Sequence, residues 1–112
     1  MMKQTKCLVL FSLLFSPAFL VQAQAFLVEN AVITSVSNTS SNQDNFVIWQ
    51  EGGEGPCKGK DILFPRTATT STETHKRAYA AALTAFSTGA KVDVYNYQGN
   101  GCHNAAYIRL KK

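Results

Sequence analysis

Few side chains in this 112-residue sequence commonly carry out acid–base or metal chemistry. There are two histidines, His75 and His103, and seven acidic residues scattered along the chain. Acyl transfer needs a nucleophile beside a base, and a metal hydrolase needs several ligands, and neither pattern is recognisable here. A hydrolase would need a cleft that brings one of the histidines to a carboxylate. We therefore expect a protein that is not an enzyme and that uses no cofactor and no metal ion.

Aromatic and amide side chains offer binding chemistry instead. An aromatic ring covers the apolar C–H surface of a sugar, while amides bond to hydroxyl groups or to peptide backbone. The alternative for any one of these residues is packing against a neighbour on the next strand. The candidates for ligand contact are Trp49, Tyr95, Asn96, Tyr97, Asn100 and His103.

The first 25 residues have the three parts of a secretory signal peptide. Lys3 and Lys6 give a positive start, residues 7–20 are almost wholly apolar, and residues 23–25 supply the small side chains needed for cleavage. This apolar run is shorter than the ~20 residues that span a bilayer, so we expect no membrane span. The prediction is a signal peptide over residues 1–25, a single domain over residues 26–112, and a location in the periplasm or outside the cell.

Cys57 and Cys102 are the cysteines that remain once Cys7 leaves with the leader. Two thiols in an oxidising compartment are expected to form one disulfide. Closing a loop of 45 residues should stabilise the fold by roughly 4 kcal/mol. A metal or redox pair is the alternative, but a CxxC spacing is missing, and His103 beside Cys102 does not complete a zinc site.

The net charge argues against nucleic-acid binding. The full chain carries 11 Lys and Arg against 7 acidic residues, and two of those lysines belong to the leader. Nucleic-acid affinity rests largely on clustered cations, which a nearly balanced domain lacks. Arg109, Lys111 and Lys112 form a terminal cluster, which we expect to be a solvated tail rather than an anion site.

The elements that must position these residues follow from the hydrophobic pattern. Alternating β-branched residues predict strands, and a capping box at Thr70-x-x-Glu73 with a terminal Gly89 delimits one helix. The helix face is mostly alanine, and we expect its larger side chains Tyr79 and Phe86 to fill the core. The glycine-rich residues 52–56 should end the second strand. The predicted strands are 26–36, 45–51, 61–64, 91–97 and 105–110, and the predicted helix is 71–88.

This order, β-β-β-α-β-β, predicts a mainly β domain with one helix. It is the element order of the OB-fold, a five-stranded barrel closed at one end by the helix between the third and fourth strands. An open α+β sheet with the helix on one face fits the same order and is the alternative.

Several segments resemble a family of small secreted bacterial proteins of unknown function. They are residues 77–86 with Gly89, Lys91-Val92, Tyr95-Asn96-Tyr97, Gly53-x-Gly55-Pro56-Cys57 and Cys102-x-x-Ala105-Ala106-Tyr107-Ile108. The passage from the helix into the fourth strand is more distantly similar to the B subunit of subtilase cytotoxin. That second resemblance implies an OB-fold, assembly as a pentameric ring and binding of cell-surface glycans, and no glycan-contacting residue can be aligned.

Two functional hypotheses follow. The first is a secreted, non-catalytic binding module for a glycan or a protein partner, with a ring-forming, toxin-subunit-like assembly implied by the resemblance alone. The second is a periplasmic inhibitor or accessory protein that docks through an exposed edge strand or through the loop at residues 51–56.

Overall fold

The computed structural model describes residues 25–38 and 43–112 as an antiparallel sheet with one α-helix. The predicted signal peptide lies outside the described residues, apart from Ala25, which begins the first strand. The elements are β1 (Ala25–Asn38), β2 (Asn45–Glu54), β3 (Ile62–Pro65), a short 3-10 turn (Arg66–Ala68), α1 (Thr72–Thr88), β4 (Lys91–Asn96) and β5 (Tyr107–Lys111). The predicted mainly β class and the element order are confirmed.

The sheet is open rather than closed into a barrel. Its strand order is β3-β2-β1-β4-β5, and the described residues form no ladder between the two edge strands. The edges nevertheless approach each other, because Leu63 of β3 exchanges backbone hydrogen bonds with Cys102 and Ala105, in the segment before β5. Two bonds to an irregular segment do not make a strand pair. The alternative of an open sheet with one helix therefore describes the structure, and the barrel does not.

β1 is long enough to pair with β2 along most of its length and with β4 along its first part. Its register shifts three times, and Asn30 adopts a positive φ of 62° at one of these bulges. Bulges bend a strand and increase its twist. β1 can therefore serve as the central strand of a curved sheet that wraps around the helix.

β2 runs further than its glycines suggested, because it continues through Gly53 to Glu54. A Cβ atom on Gly53 would lie 2.5 Å from the carbonyl oxygen of Glu29 on β1. The glycine therefore lets the two backbones pack closely. The strand does end within the glycine-rich residues 52–56, as predicted, but three residues later than the predicted Glu51. The absence of a side chain here serves close strand packing.

The core lies between the inner face of the sheet and α1. Phe46 of β2 stacks on Phe64 of β3 with ring centroids 4.5 Å apart, and both rings are buried. The helix contributes Ala78, Ala82 and Ala85, which have almost no exposed surface. As predicted, the alanine face lets the helix backbone come close to the sheet.

Two larger helix side chains point away from that core. Phe86 is 48% exposed and Leu83 is 40% exposed, so the expectation that Phe86 fills the core was wrong. Each follows a buried alanine by one position, which places it about 100° further around the helix. Tyr79 is partly buried and contacts Phe46 edge-on at 5.1 Å. The prediction that Tyr79 fills the core is thus confirmed in part.

The helix ends are set by local bonds. Ser71, not Thr70, is the N-cap, and its Oγ accepts a hydrogen bond from the Thr74 amide at 3.1 Å. The N-cap is therefore one residue later than predicted, and the third helical residue is Thr74 rather than the Glu73 of the predicted capping box. Gly89 ends the helix in the left-handed conformation, as predicted, and its amide donates to the Ala85 carbonyl. No helix in the described part of the chain is long and apolar enough to cross a membrane.

The disulfide between Cys57 and Cys102 is confirmed, with the two Cα atoms 5.8 Å apart. Cys57 lies in the turn between β2 and β3, and Cys102 lies between β4 and β5. The disulfide therefore joins the β2–β3 connection at one edge of the sheet to the β4–β5 connection at the other edge. It lies beside the backbone hydrogen bonds made by Leu63.

Candidate functional site

Four aromatic side chains converge on the outer face of the sheet, the face turned away from the helix core. Phe26, Tyr95, Tyr97 and Tyr107 line a surface cavity of about 230 Å³, which we call the tyrosine groove. Tyr95 is its centre, with ring centroids at 4.8 Å from Phe26, 4.9 Å from Tyr97 and 6.1 Å from Tyr107. All three pairs meet edge to face, a favoured aromatic geometry.

Strand register explains why these rings meet. Phe26 of β1 and Tyr107 of β5 are the direct cross-strand partners of Tyr95 on β4. Side chains of partner residues lie on the same face of a sheet, about 5 Å apart at Cβ. Tyr97 follows the end of β4 and is 51% exposed, so its ring forms the open wall of the groove.

A buried ion network lies next to the groove on the same face. Asp93 of β4 is fully buried, and its carboxylate contacts Arg109 at 2.6 Å and Lys111 at 3.0 Å. Its other oxygen accepts a hydrogen bond from the backbone amide of Asn30, at 2.9 Å. The bulge in β1 thus supplies the third partner. The guanidinium of Arg109 also lies 6.0 Å from the Phe26 ring centroid, which couples the network to the groove.

Two opposing effects set the pKa of Asp93. Burial by itself would raise the pKa, because it penalises the charged form. The hydrogen bonds from Arg109, the Asn30 amide and Lys111 favour the carboxylate, and they lower the pKa below its ordinary value. Arg109 and Lys111 are therefore structural partners of Asp93, and the prediction that they belong to a solvated tail was wrong.

Asn96 has a structural role in the connection between β4 and β5. It is 2% exposed, and its Oδ1 accepts hydrogen bonds from the Gln98 amide at 2.8 Å and from Asn104 Nδ2 at 3.4 Å. Its Nδ2 donates to the Gly101 carbonyl at 3.0 Å. The side chain thus holds the loop that carries Tyr97, from beneath the surface.

The remaining predicted contact residues lie away from the groove. Trp49 is 41% exposed on β2, opposite Ser35 of β1. Nine positions along β1 separate Ser35 from Phe26, up to roughly 30 Å of extended strand. His103 is exposed and lies 3.2 Å from Asp61, and Asn100 is an exposed residue of the β4–β5 connection. The structure brings Tyr95 and Tyr97 together and leaves Trp49, Asn100 and His103 outside.

A second cavity, of about 330 Å³, adjoins the groove. Tyr97 and Tyr107 line both spaces, so their rings form the shared wall. The rest of its lining comes from the turn before α1, the first turn of α1 and the residue before β5; these residues are Ala68, Thr69, Thr70, Thr74 and Ala106. We call this space the threonine cavity. Side chains that line the two spaces carry no formal charge.

Of the two histidines, His103 lies 3.2 Å from the carboxylate of Asp61, and both of these side chains are largely exposed. His75 is 8% exposed, and its Nε2 donates to the Phe64 carbonyl at 2.9 Å, so it is a buried, hydrogen-bonded side chain. Over residues 25–38 and 43–112, no group of three or more His, Cys, Asp or Glu side chains is placed to hold a metal.

Sequence reasoning missed Phe26 and Tyr107 as members of the groove. The signal for Tyr107 was present, because alternation puts Tyr107 with Arg109 and Tyr95 with Asp93, each pair on one face of its strand. Pairing β4 with β5 in the correct register would have placed Tyr107 beside Tyr95 and Arg109 beside Asp93. For Phe26 there was no local signal, because its contact with Tyr95 depends on pairing between β1 and β4, which are far apart in sequence.

Comparison with known proteins gives a family and no function. Residues 5–112 match the family model DUF5992, described as a family of unknown function. No curated protein and no solved structure matches at a significant level.

Proposed function

The chain belongs to DUF5992, a family of unknown function, and from the geometry of its surface we propose that it is a non-catalytic module that binds a carbohydrate in the tyrosine groove. The observation that carries this proposal is the convergence of four aromatic rings on one exposed cavity of about 230 Å³. A groove of this kind can cover the apolar face of a sugar ring, while tyrosine hydroxyls reach its polar edge.

The exposure of Tyr97 favours binding over packing as the role of the groove. A ring that is 51% exposed contributes only part of its surface to stability, although a loop with a buried Asn96, whose side chain makes three hydrogen bonds, holds it in position. Ordering the loop in advance reduces the conformational entropy that a ligand must overcome. This combination of an exposed ring and an ordered support is typical of binding sites.

The module acts outside the cytoplasm in this proposal. Support comes from the leader-like pattern of residues 1–25 and from the disulfide that joins Cys57 to Cys102. Assembly into a ring, as the similarity to the subtilase cytotoxin B subunit implies, is a further part of the proposal. Native mass spectrometry of the secreted protein tests it, and a strictly monomeric mass would contradict it.

Glycan-array binding followed by affinity measurement tests the proposed function. We expect the intact protein to bind glycans, and Tyr97→Ala to weaken that binding about tenfold or more, equivalent to about 1.4 kcal/mol. Trp49→Ala is the matched control, because Trp49 has a similar exposure, 41%, but lies outside the groove. Failure of the intact protein to bind any glycan, or an equal loss in both variants, would contradict the proposal.

A second candidate, an inhibitor or accessory protein, is favoured by a different surface. Leu83 and Phe86 are exposed and lie three residues apart on α1, so they are neighbours on the helix. A protein partner held there would be lost by the double variant Leu83→Ser, Phe86→Ser and kept by Tyr97→Ala. Affinity capture from periplasmic extract with these two variants separates the two functions.

A further inference from the structure

The tyrosine groove is small for a complete ligand site. Its volume of about 230 Å³ lies below the ~300–1,000 Å³ that is common for ligand pockets. The threonine cavity adds about 330 Å³ on the other side of the Tyr97 and Tyr107 rings. The two spaces taken together fall within the usual range. A ligand that uses both would extend past the two tyrosines.

The threonine cavity has hydroxyl groups of two kinds. The Thr69 hydroxyl is already bonded to the backbone carbonyls of Arg66 and Ser71, each at 2.9 Å. The Thr74 hydroxyl contacts the Ser71 hydroxyl at 3.0 Å. Thr70 is exposed, and its hydroxyl takes part in none of the hydrogen bonds found within residues 25–38 and 43–112. Thr70 is therefore the hydroxyl that a ligand can use.

The lining of the two spaces also favours an uncharged ligand. The side chains that line the two spaces are aromatic rings, threonines and alanines, with no charged group among them. Arg109 and Lys111 both contact Asp93, and Arg77, beside the threonine cavity, donates to the Thr74 hydroxyl at 3.3 Å. An acidic ligand would lose its hydration among uncharged lining side chains, and would gain a charged partner only by drawing one of these cations from the group it already contacts. A neutral ligand rich in hydroxyl groups loses less.

We propose that the ligand is a neutral oligosaccharide of at least two sugar units, with one unit in the tyrosine groove and the next in the threonine cavity against Thr70. This inference rests on the proposed carbohydrate-binding function and deepens it. The Tyr97 and Tyr107 rings lie under the linkage between the units. Thr70 is then a specificity-determining contact for the second unit, and the first unit does not touch it.

Isothermal titration with glucose, cellobiose and maltose, and with galactose and lactose, tests this inference. We expect a disaccharide to bind at least tenfold more tightly than its monosaccharide. Thr70→Val, which keeps the shape and removes the hydroxyl, should reduce disaccharide affinity about threefold to tenfold and leave monosaccharide affinity unchanged. Thr84→Val, at an exposed position on α1 outside both cavities, is the matched control and should change neither.

The outcomes separate the two levels of the proposal. Equal affinity for mono- and disaccharide, or an unchanged disaccharide affinity in Thr70→Val, would overturn the second subsite and leave the groove function intact. A uronic-acid disaccharide bound more tightly than its neutral counterpart would overturn the neutral class. If the intact protein binds neither these sugars nor any glycan of the array, the proposed carbohydrate function itself fails.

Discussion

Replacing Asp93 by Asn removes one negative charge from a fully buried position and keeps the side-chain volume. The Asn oxygen can still accept the bond from the Asn30 amide, 2.9 Å away in the native protein. The new NH₂ group, however, faces the cations of Arg109 and Lys111, which contact the native carboxylate at 2.6 and 3.0 Å. The variant therefore loses both charged contacts and keeps one neutral bond.

The expected loss of stability is about 3 kcal/mol. A hydrogen bond to a charged group contributes about 1.5–3 kcal/mol, and removal of one partner from a buried ion pair costs about 3–5 kcal/mol. We expect the lower end of the range for a buried ion pair, because the Arg109 and Lys111 side chains are 48% and 34% exposed and can be hydrated once the carboxylate is gone. Urea denaturation at pH 7, followed by circular dichroism, measures the difference. Asp61→Asn is the control, since the exposed Asp61–His103 contact should contribute less than about 1 kcal/mol.

The pH dependence gives an independent check on the same carboxylate. The pKa of Asp93 is lowered in the folded protein, so below its ordinary value of 3.8 the unfolded chain binds the extra proton first. The stabilisation is complete above that value and is lost as the pH falls through the lower pKa of the folded state. The difference in unfolding free energy between native protein and Asp93→Asn should therefore shrink from pH 6 towards pH 3. A loss below about 1 kcal/mol at pH 7, or a difference that stays constant with pH, would refute the reasoning.

Two further predictions concern covalent and backbone constraints. Reduction of the disulfide, or the double variant Cys57→Ser, Cys102→Ser, should lower the unfolding free energy by roughly 4 kcal/mol in urea denaturation, because the unfolded chain gains conformational entropy when its 45-residue loop opens. An unchanged denaturation midpoint would contradict this reason. Gly55→Ala should cost about 3 kcal/mol or more, because its Cβ would lie 2.5 Å from the Leu27 carbonyl oxygen at a φ of 133°. Gly52→Ala, with a φ of 75° and open space, should cost only about 1–2 kcal/mol, so equal losses would show that contact with β1 does not matter.

Local sequence patterns predicted most of the elements, because their signals are carried by neighbouring residues. The alanine row of the helix and its terminal Gly89 are examples, since helical spacing and a C-terminal glycine need no tertiary information. Phe86 shows the limit of that reasoning. Its position in the periodic pattern fits the core, but the helix rotates so that the alanines face the sheet and Phe86 faces solvent.

Barrel closure could not be predicted for a physical reason. Closure depends on whether the chain before β5 continues as a strand beside β3. The segment instead makes only the two backbone bonds with Leu63, next to the disulfide at Cys102. The same element order fits both outcomes, so the sequence favoured the barrel without excluding the open sheet.

The candidate site was predicted in part. Tyr95 and Tyr97 were selected from their residue type, and the structure places both in the groove. Trp49 was selected on the same grounds, yet it lies on β2, toward the other end of β1. Residue type therefore indicates binding chemistry, while strand register decides which side chains meet. The Asp93 network shows the same dependence, because a bulge at Asn30 supplies one of its bonds.

The most direct test of a ligand in the tyrosine groove uses the tyrosine rings themselves. The chain has four tyrosines, of which Tyr95, Tyr97 and Tyr107 line the groove, while Tyr79 lies on α1 and contacts Phe46. In protein with ring-labelled tyrosine, titration with a glycan that the protein binds should shift the NMR signals of the three groove tyrosines and leave the Tyr79 signal in place. Shifts confined to Tyr79, or no tyrosine shift at saturating glycan, would contradict the account.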